Sequence, residues 1–471
     1  MQNFSTTPPS PTPTTTLPPS TIELCEGSGT TRHNWVISIR DKLEQAKQDD
    51  RTSSGKSCIY KVPRYLHRDD KKLYLPQTVS LGPYHYGQEQ TSMECHKWRA
   101  VNKVLERTML DIVVFLDAMV ELEEKARACY EGTITLNSNM FTLMLVRDGC
   151  FVLELLTGCQ NGFSQLGYEP NDPVFGTRGS FFPLQRDMIL LENQLPLFVL
   201  SRLLELQLGK HYQTGLVVNL VVRFFEPLMP TAVTFARDIS SEPSADELNY
   251  LHCVDVFRGS LLLPNSKPMC RWPMRSPVRN NILHQLIPSA TELRAAKVQF
   301  RSRRTGLFWD IKFNDGCLDI PTLVIHDGTK YLFSNLIAFE QCHVESSNSI
   351  TSYCIFMNNL IDSAEVVSYF EKCGIIEHTL GSHSEVVDMF NQLCQGVIVE
   401  ISDIYLYPLF TEVSDFYHSK WPTTIEMEKQ FATLRERYFY SPWAYLSFFA
   451  AIILLVLTAS QTYFAAYDYY H

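Results

Sequence analysis

From Tyr438 to Tyr467 the chain carries no charged residue, and no other stretch restricts its architecture as strongly. Its centre is the run Phe448-Phe449-Ala450-Ala451-Ile452-Ile453-Leu454-Leu455-Val456-Leu457. As a helix from Trp443 to Phe464 it would be about 33 Å long at 1.5 Å per residue, against a bilayer hydrocarbon core of about 30 Å. Tyr438, Tyr440, Trp443 and Tyr445 on one side, and Tyr463 and Tyr467 on the other, have the placing of interfacial aromatic belts. The expectation is one transmembrane helix, with Trp443, Leu454 and Phe464 at its start, middle and end. Arg435 and Arg437 before it and Asp468 after it put the N-terminal part in the cytosol by the positive-inside rule. Met1 to Thr21 has no apolar run of the signal-peptide kind, which agrees with a C-terminal anchor. Such a span suits the plasma membrane or an endomembrane.

The remainder has the composition of a globular protein. With 41 basic and 51 acidic residues the net charge is −10, which argues against general nucleic-acid binding. The 13 cysteines are odd in number and contain no CxxC pair, so neither a zinc site nor a disulfide framework is signalled. Ser5 to Thr21 is Ser, Thr or Pro everywhere except Leu17, too polar to offset its ordering entropy, and 1–30 is expected to be a disordered head. A helical globular domain is expected over 31–437, with a surface excursion or lobe connection near 238–279, and the anchor and tail over 438–471.

Within that domain the patterning is mainly helical. An amphipathic helix is expected from Trp35 to Gln45, then a Pro- and Gly-punctuated stretch from Ile59 to Gly87. One long helix follows, with Trp98, Val101, Leu105, Ile112, Leu116 and Met119 at helical spacing. Met140–Leu156 and Met188–Leu208 read as buried helices, and Cys159–Phe182 as loop. Ser289-Ala290-Thr291-Glu292 and Ser382-His383-Ser384-Glu385 have capping-box spacing, while Gly374 and Gly396 fall where helix C-caps belong. Asp327-Gly328, between Leu323-Val324-Ile325 and Tyr331, has the form of a tight hairpin turn in a small sheet over 298–333. A last charged helix is expected over 424–438, with Ser441-Pro442 opening the apolar one. The fold class expected is mainly α, with a small β element and one C-terminal transmembrane helix.

Two constellations could carry chemistry. Gly82-Pro83-Tyr84-His85-Tyr86 sets a turn among aromatic rings, and His85 with Glu94 could form an acid–base pair; a rigid turn stapled to the first core helix explains the same residues. Arg147-Asp148, Glu154, Arg186-Asp187 and Glu192 are charges set in apolar runs and need partners, so Arg147 or Arg186 is expected to pair across the two helices. Asn193 or Gln194 could satisfy the carbonyl that Pro196 leaves without a donor. An enzymatic reading makes Asp187 and Glu192 paired carboxylates. His378 and His383 with Glu377 and Glu385 offer metal-ligand types, but Gly381 and the capping box favour surface turn chemistry, and no metal or cofactor is expected. Arg294, Lys297, Arg301, Arg303 and Arg304 form a basic cluster suited to a solvated strand face or an acidic partner. HExxH, GxSxG, Walker and GxGxxG motifs are absent.

The blocks Val62-Pro63 through Ser80-Leu81-Gly82-Pro83-Tyr84-His85, Arg186-Asp187-Met188-Ile189-Leu190-Leu191-Glu192-Asn193-Gln194-Leu195-Pro196, Ile287-Pro288-Ser289-Ala290-Thr291-Glu292-Leu293, and Asn335-Leu336-Ile337-Ala338-Phe339-Glu340-Gln341-Cys342, in that order, give the chain its resemblance to the plant family of unknown function 247. Pro442-Trp443-Ala444 and the apolar run resemble that family's C-terminal anchor. Where the family has a glycine before valine, this chain reads Ala296-Lys297-Val298. The resemblance implies a plant membrane protein without an established reaction or cofactor, and some grass members are associated with pollen-side self-recognition. The function expected is a membrane-anchored interaction, signalling or recognition module with an unknown protein partner. The alternative is a membrane-associated enzyme using Asp187 and Glu192.

Overall fold

The computed structural model describes residues 34–44, 57–66, 70–87, 91–231, 250–262, 287–303, 305, 307–399, 403–419 and 442–470. The Thr/Pro head, the charged segment 424–438, Arg304, and most of 238–279 lie outside them. The chain divides into two units, residues 1–55 and 56–471. The described part of the first is helix α1 (34–44), close to the expected bounds.

The second unit begins with a strap, 57–66 and 70–87, whose only helical turn among the described residues is the 3-10 segment Lys71–Leu73. The expected single long helix is two, α2 (Thr91–Thr108) and α3 (Ile112–Ala128). Met109 takes a left-handed φ of 56°, and the Asp111 side chain accepts from the Val113 N–H as an N-cap, so the chain stops and restarts within a continuous apolar periodicity. Trp98 is left 45% exposed.

Helix α4 (Ser138–Asn161) is the centre of this region, buried from Phe141 through Leu156 except at Leu143, and packed on α2, α3, α6 and α7. The segment expected as one helix from Met188 to Leu208 is instead the end of α5 (Phe181–Met188), a turn, and α6 (Leu197–Leu208) with Pro196 at its N-cap. Helices α7 (Leu216–Phe225) and α8 (Cys253–Leu262) pack together, and α8 buries Val254, Val256 and Phe257. A core helix thus occupies the described part of the expected surface excursion.

Beyond it, α9 (Ala290–Ala295) opens with the complete capping box of Ser289 and Glu292. Strands β1 (Gln299–Arg303), β2 (Lys312–Asn314) and β3 (Cys317–Pro321) form one sheet with β3 central, parallel to β1 and antiparallel to β2. The β2–β3 turn is Asp315-Gly316, both with positive φ (48° and 77°), as a type I′ hairpin requires. Asp327-Gly328 makes no hairpin. Gly328 has φ −78° and leads from β4 (Leu323–Ile325) into α10 (Thr329–Cys342), while β4 pairs in parallel with the distant β5 (Ile376–His378). Parallel pairing needs a long crossover, supplied by α10, α11 (Ser349–Leu360) and α12 (Ala364–Lys372). Helix α13 (His383–Leu393), capped by Ser382, and α14 (407–419) complete this half.

Helix α15 spans Pro442–Tyr470 and contains Trp443, Leu454 and Phe464, yet among the described residues no helix is long and apolar enough to cross a membrane. The expected transmembrane helix is therefore not supported. The uninterrupted apolar run is ten residues, Phe448–Leu457, or about 15 Å, half a hydrocarbon core. Thr458, Ser460 and Thr462 then return their hydroxyls to carbonyls four residues back. Leu454 is 69% exposed.

Candidate functional site

A buried segment without regular structure must find partners for its backbone polar groups elsewhere. The strap finds them in the side chains that looked chemically active. Asp187 is fully buried in the last turn of α5, where the helix dipole does not favour a carboxylate, and tertiary contacts hold it there. Its oxygens accept the backbone N–H groups of Gln77 (3.1 Å), Thr78 (2.5 Å) and Val79 (2.9 Å), together with Arg186 Nε and Nη2. Arg186 also donates to the Gln77 side chain and lies over the Tyr331 ring.

The turn after α5 continues the pattern. Asn193 Oδ1 accepts from Leu81 N–H at 2.6 Å, and its Nδ2 donates to the carbonyls of Val79 and Asp187. Gln194 Nε2 donates to the Met188 and Leu190 carbonyls, so the amides serve the end of α5 and the turn after it rather than a carbonyl inside a kinked helix. Glu192 Oε1 accepts from Val62 N–H at 2.8 Å. Asn335 on α10 accepts from Leu191 N–H and donates to the Leu73 carbonyl.

His252 adds a neutral clamp. Its Nδ1 accepts from Asp255 N–H and its Nε2 donates to the Cys58 carbonyl, while burial pushes its pKa down to about 3. Gly82, with φ +68°, fits because a Cβ there would stand 2.7 Å from the Gln194 carbonyl oxygen.

A second ionic group closes the far end of the strap. Lys97, 1% exposed, donates to the Ser80 carbonyl and pairs with Glu94 (2.7 Å) and Asp148 (3.0 Å). Asp148 also accepts from Gly82 N–H and Arg147, and Arg147 pairs with Glu94 at 2.5 Å. His85 and Glu94 do not pair, because Glu94 is held by these two cations. His85, 3% exposed, has Nε2 3.3 Å from Glu192 Oε2, but neither ring nitrogen makes a hydrogen bond among the described residues.

The expected pairing of Arg147 or Arg186 across the two helices is also absent. Each arginine binds its own neighbouring aspartate, Arg147 also takes Glu94 of α2, and Glu154 takes Arg107 from α2. Burial raises the Glu154 carboxyl pKa even against Arg107. Asp187 and Glu192 accept from different parts of the strap, Val62 for Glu192 and Gln77 to Val79 for Asp187.

Sequence reasoning missed Arg107 as that partner, and it missed the ion pair of Arg258 on α8 with the buried Glu340 (2.9 Å). Glu340 also accepts from the Ile350 and Thr351 N–H groups at the start of α11. The signal was present: Glu340, like Glu154, is a carboxylate inside an apolar helical run, and such a group has to find cations elsewhere.

The C-terminal half holds two open features. A polar groove between α9, α11, α13 and α14 is lined by Ser289, Glu292, Asn358, Asp362, Asn391 and His418 among others. At a corner joining α12, β5 and α13, the ligand atoms of Glu371, His378 and His383 lie within 4.8 Å of one another. Glu377 is on the opposite strand face from His378, and Glu385 turns back to accept from the Ser382 hydroxyl. In the basic cluster Arg301 is bidentate on Asp319, Arg303 pairs with Asp310, and Arg294 stacks on Tyr369.

Comparison with known proteins places these motifs. A UPF0481 protein of Arabidopsis thaliana is 31% identical over 443 residues, which cover 88% of each chain. A second UPF0481 protein of that plant is 23% identical over 515 residues, covering 91% of this chain and 93% of its own. No solved structure matches. The family model described as plant protein of unknown function matches residues 59–457, a span that holds all but the first two residues of the strap, both ionic groups and the polar groove. The chain therefore belongs to the plant family of unknown function 247.

Proposed function

We propose that the protein is a non-catalytic interaction module whose recognition surface is the polar groove of its C-terminal half. The groove itself carries this reading. It presents carboxamides from Asn358 and Asn391 and carboxylates from Glu292 and Asp362, the donor–acceptor mix that pairs with a peptide backbone and basic side chains. The fitting occupant is an extended, Lys- or Arg-bearing segment of another protein. The enzymatic alternative has less support, since Asp187 is fully buried with both oxygens occupied by donors.

Proximity labelling by the full-length protein in plant cells, compared with Asn391→Arg, tests the reading. Asn391 is exposed on α13, so the variant should keep its melting temperature and lose the partner that the wild type enriches. No reproducible partner, or one indifferent to the change, would overturn it.

A signalling or recognition role at a membrane surface, with the module on the cytosolic side, belongs to the same proposal. It is supported by the large exposed apolar side chains of α15, such as Leu454 and Leu455. Leu454→Arg should then move the protein from the membrane to the soluble fraction, and unchanged fractionation would remove that part.

A further inference from the structure

We propose that Glu371, His378 and His383 form a binding site for one divalent transition metal of the zinc type, with at least one coordination position left to solvent. The argument starts with how three short elements converge. Glu371 is in the last turn of α12, and Gly374, with φ +72°, turns the chain directly into β5. His378 ends β5, whose register is held by Ile325 opposite it and by the Thr379 N–H donating to the Ile325 carbonyl. His383 is the first residue of α13, positioned by the Ser382 cap. Alternation along β5 turns Glu377 away, so the carboxylate at the corner comes from α12.

Distances and hydrogen bonding both fit a shared ion. His383 Nε2 and Glu371 Oε2 are 3.0 Å apart, close to the edge of about 3.3 Å in a tetrahedron with bonds of about 2.0–2.1 Å. The widest ligand-atom separation, within 4.8 Å, closes by rotating side chains, since Glu371 is exposed and both histidines are only partly buried. The His378 ring packs edge-on to His383 at 5.2 Å, and both of its nitrogens are shielded from solvent without a hydrogen-bond partner among the described residues. Shielded polar atoms normally have partners, and a metal supplies one.

Two imidazoles and a carboxylate favour zinc-like ions over the oxygen-seeking calcium and magnesium, and the absence of sulfur ligands disfavours copper(I). Bound there, the ion would tie α12, β5 and α13 into one unit.

Cobalt(II) titration of the full-length protein distinguishes this corner from the free cysteines, because thiolate ligation adds a charge-transfer band that nitrogen and oxygen ligands lack. One equivalent should give ligand-field bands without that feature, and zinc should displace it. His378→Ala and Glu371→Gln should each weaken binding by about ten-fold or more, and zinc should raise the melting temperature of the wild type but not of these variants. Glu371→Gln changes an exposed residue, so it keeps the test informative if His378→Ala misfolds. Absence of cobalt binding at micromolar concentrations, a thiolate band, or equal affinity in both variants would overturn the site.

Discussion

The strap and the corner at His378 are both irregular joints rich in charged side chains, and they use those side chains in opposite ways. At the strap, Asp187, Asp148 and Asn193 are buried and meet backbone N–H groups of a segment lacking a ladder of its own. At the corner the backbone is already served by β4–β5 pairing and the Ser382 cap. There His383 and Glu371 pair with each other, and the His378 nitrogens have no hydrogen-bond partner among the described residues. A charged residue in a loop therefore says little about activity until the accounting of the adjacent backbone is known.

If that contrast holds, the largest effect should come from Asp187→Ala. It leaves Arg186 buried beside an empty position and strips the acceptor from three backbone N–H groups, for a loss of about 3–5 kcal/mol in chemical denaturation. A loss below 1 kcal/mol would break the comparison, because the strap would then hold without its carboxylate. Glu192→Ala should cost less, about 1–2 kcal/mol, since Glu192 serves the single N–H of Val62 and its side chain keeps 17% exposure. An unchanged melting temperature there would free Glu192, with His85, for a functional role.

Lys297→Gly calibrates backbone strain in the absence of any network. Lys297 holds φ +64°, a left-handed conformation that suits glycine, and relief of that strain should outweigh the added chain entropy by about 0.5–1 kcal/mol. A destabilised variant would mean that the lysine side chain makes up for its backbone. His378→Ala in metal-free buffer should be the smallest change, within about 0.5 kcal/mol, because no hydrogen bond among the described residues is lost. A loss comparable to that of Asp187→Ala would make the corner as structural as the strap.

Local signals in the sequence hold where the outcome is settled within a few residues. Ser289 and Ser382 start helices, Gly374 and Gly396 end them with positive φ, and α15 opens at Pro442. Periodicity proved less dependable. It ran unbroken across Met109–Asp111, where a left-handed residue and a new N-cap interrupt the helix, and across the turn from Ile189 to Pro196. In α15, Ser447 and Thr458 bound the uninterrupted apolar run at Phe448–Leu457, shorter than the uncharged stretch around it.

The candidate site was legible as a set of residues. His85, Glu94, Arg147, Asp148, Arg186, Asp187 and Glu192 do gather around one strap, but their pairings could not be read from spacing. Lys97 and Arg107 come from another helix, and the groups that Asp187 serves lie more than a hundred positions away.

Three Asp-Gly pairs mark the same boundary. Asp148-Gly149 lies inside α4 and makes no turn, whereas the other two do. Asp315-Gly316 closes a hairpin because β2 and β3 pair, whereas Asp327-Gly328 enters a helix because β4 finds β5 some fifty residues on. By itself the sequence determined caps, turns, family membership and which polar residues must be held inside. Only the tertiary structure decided their partners, because burial forces every donor to find an acceptor and long-range packing selects which one is within reach.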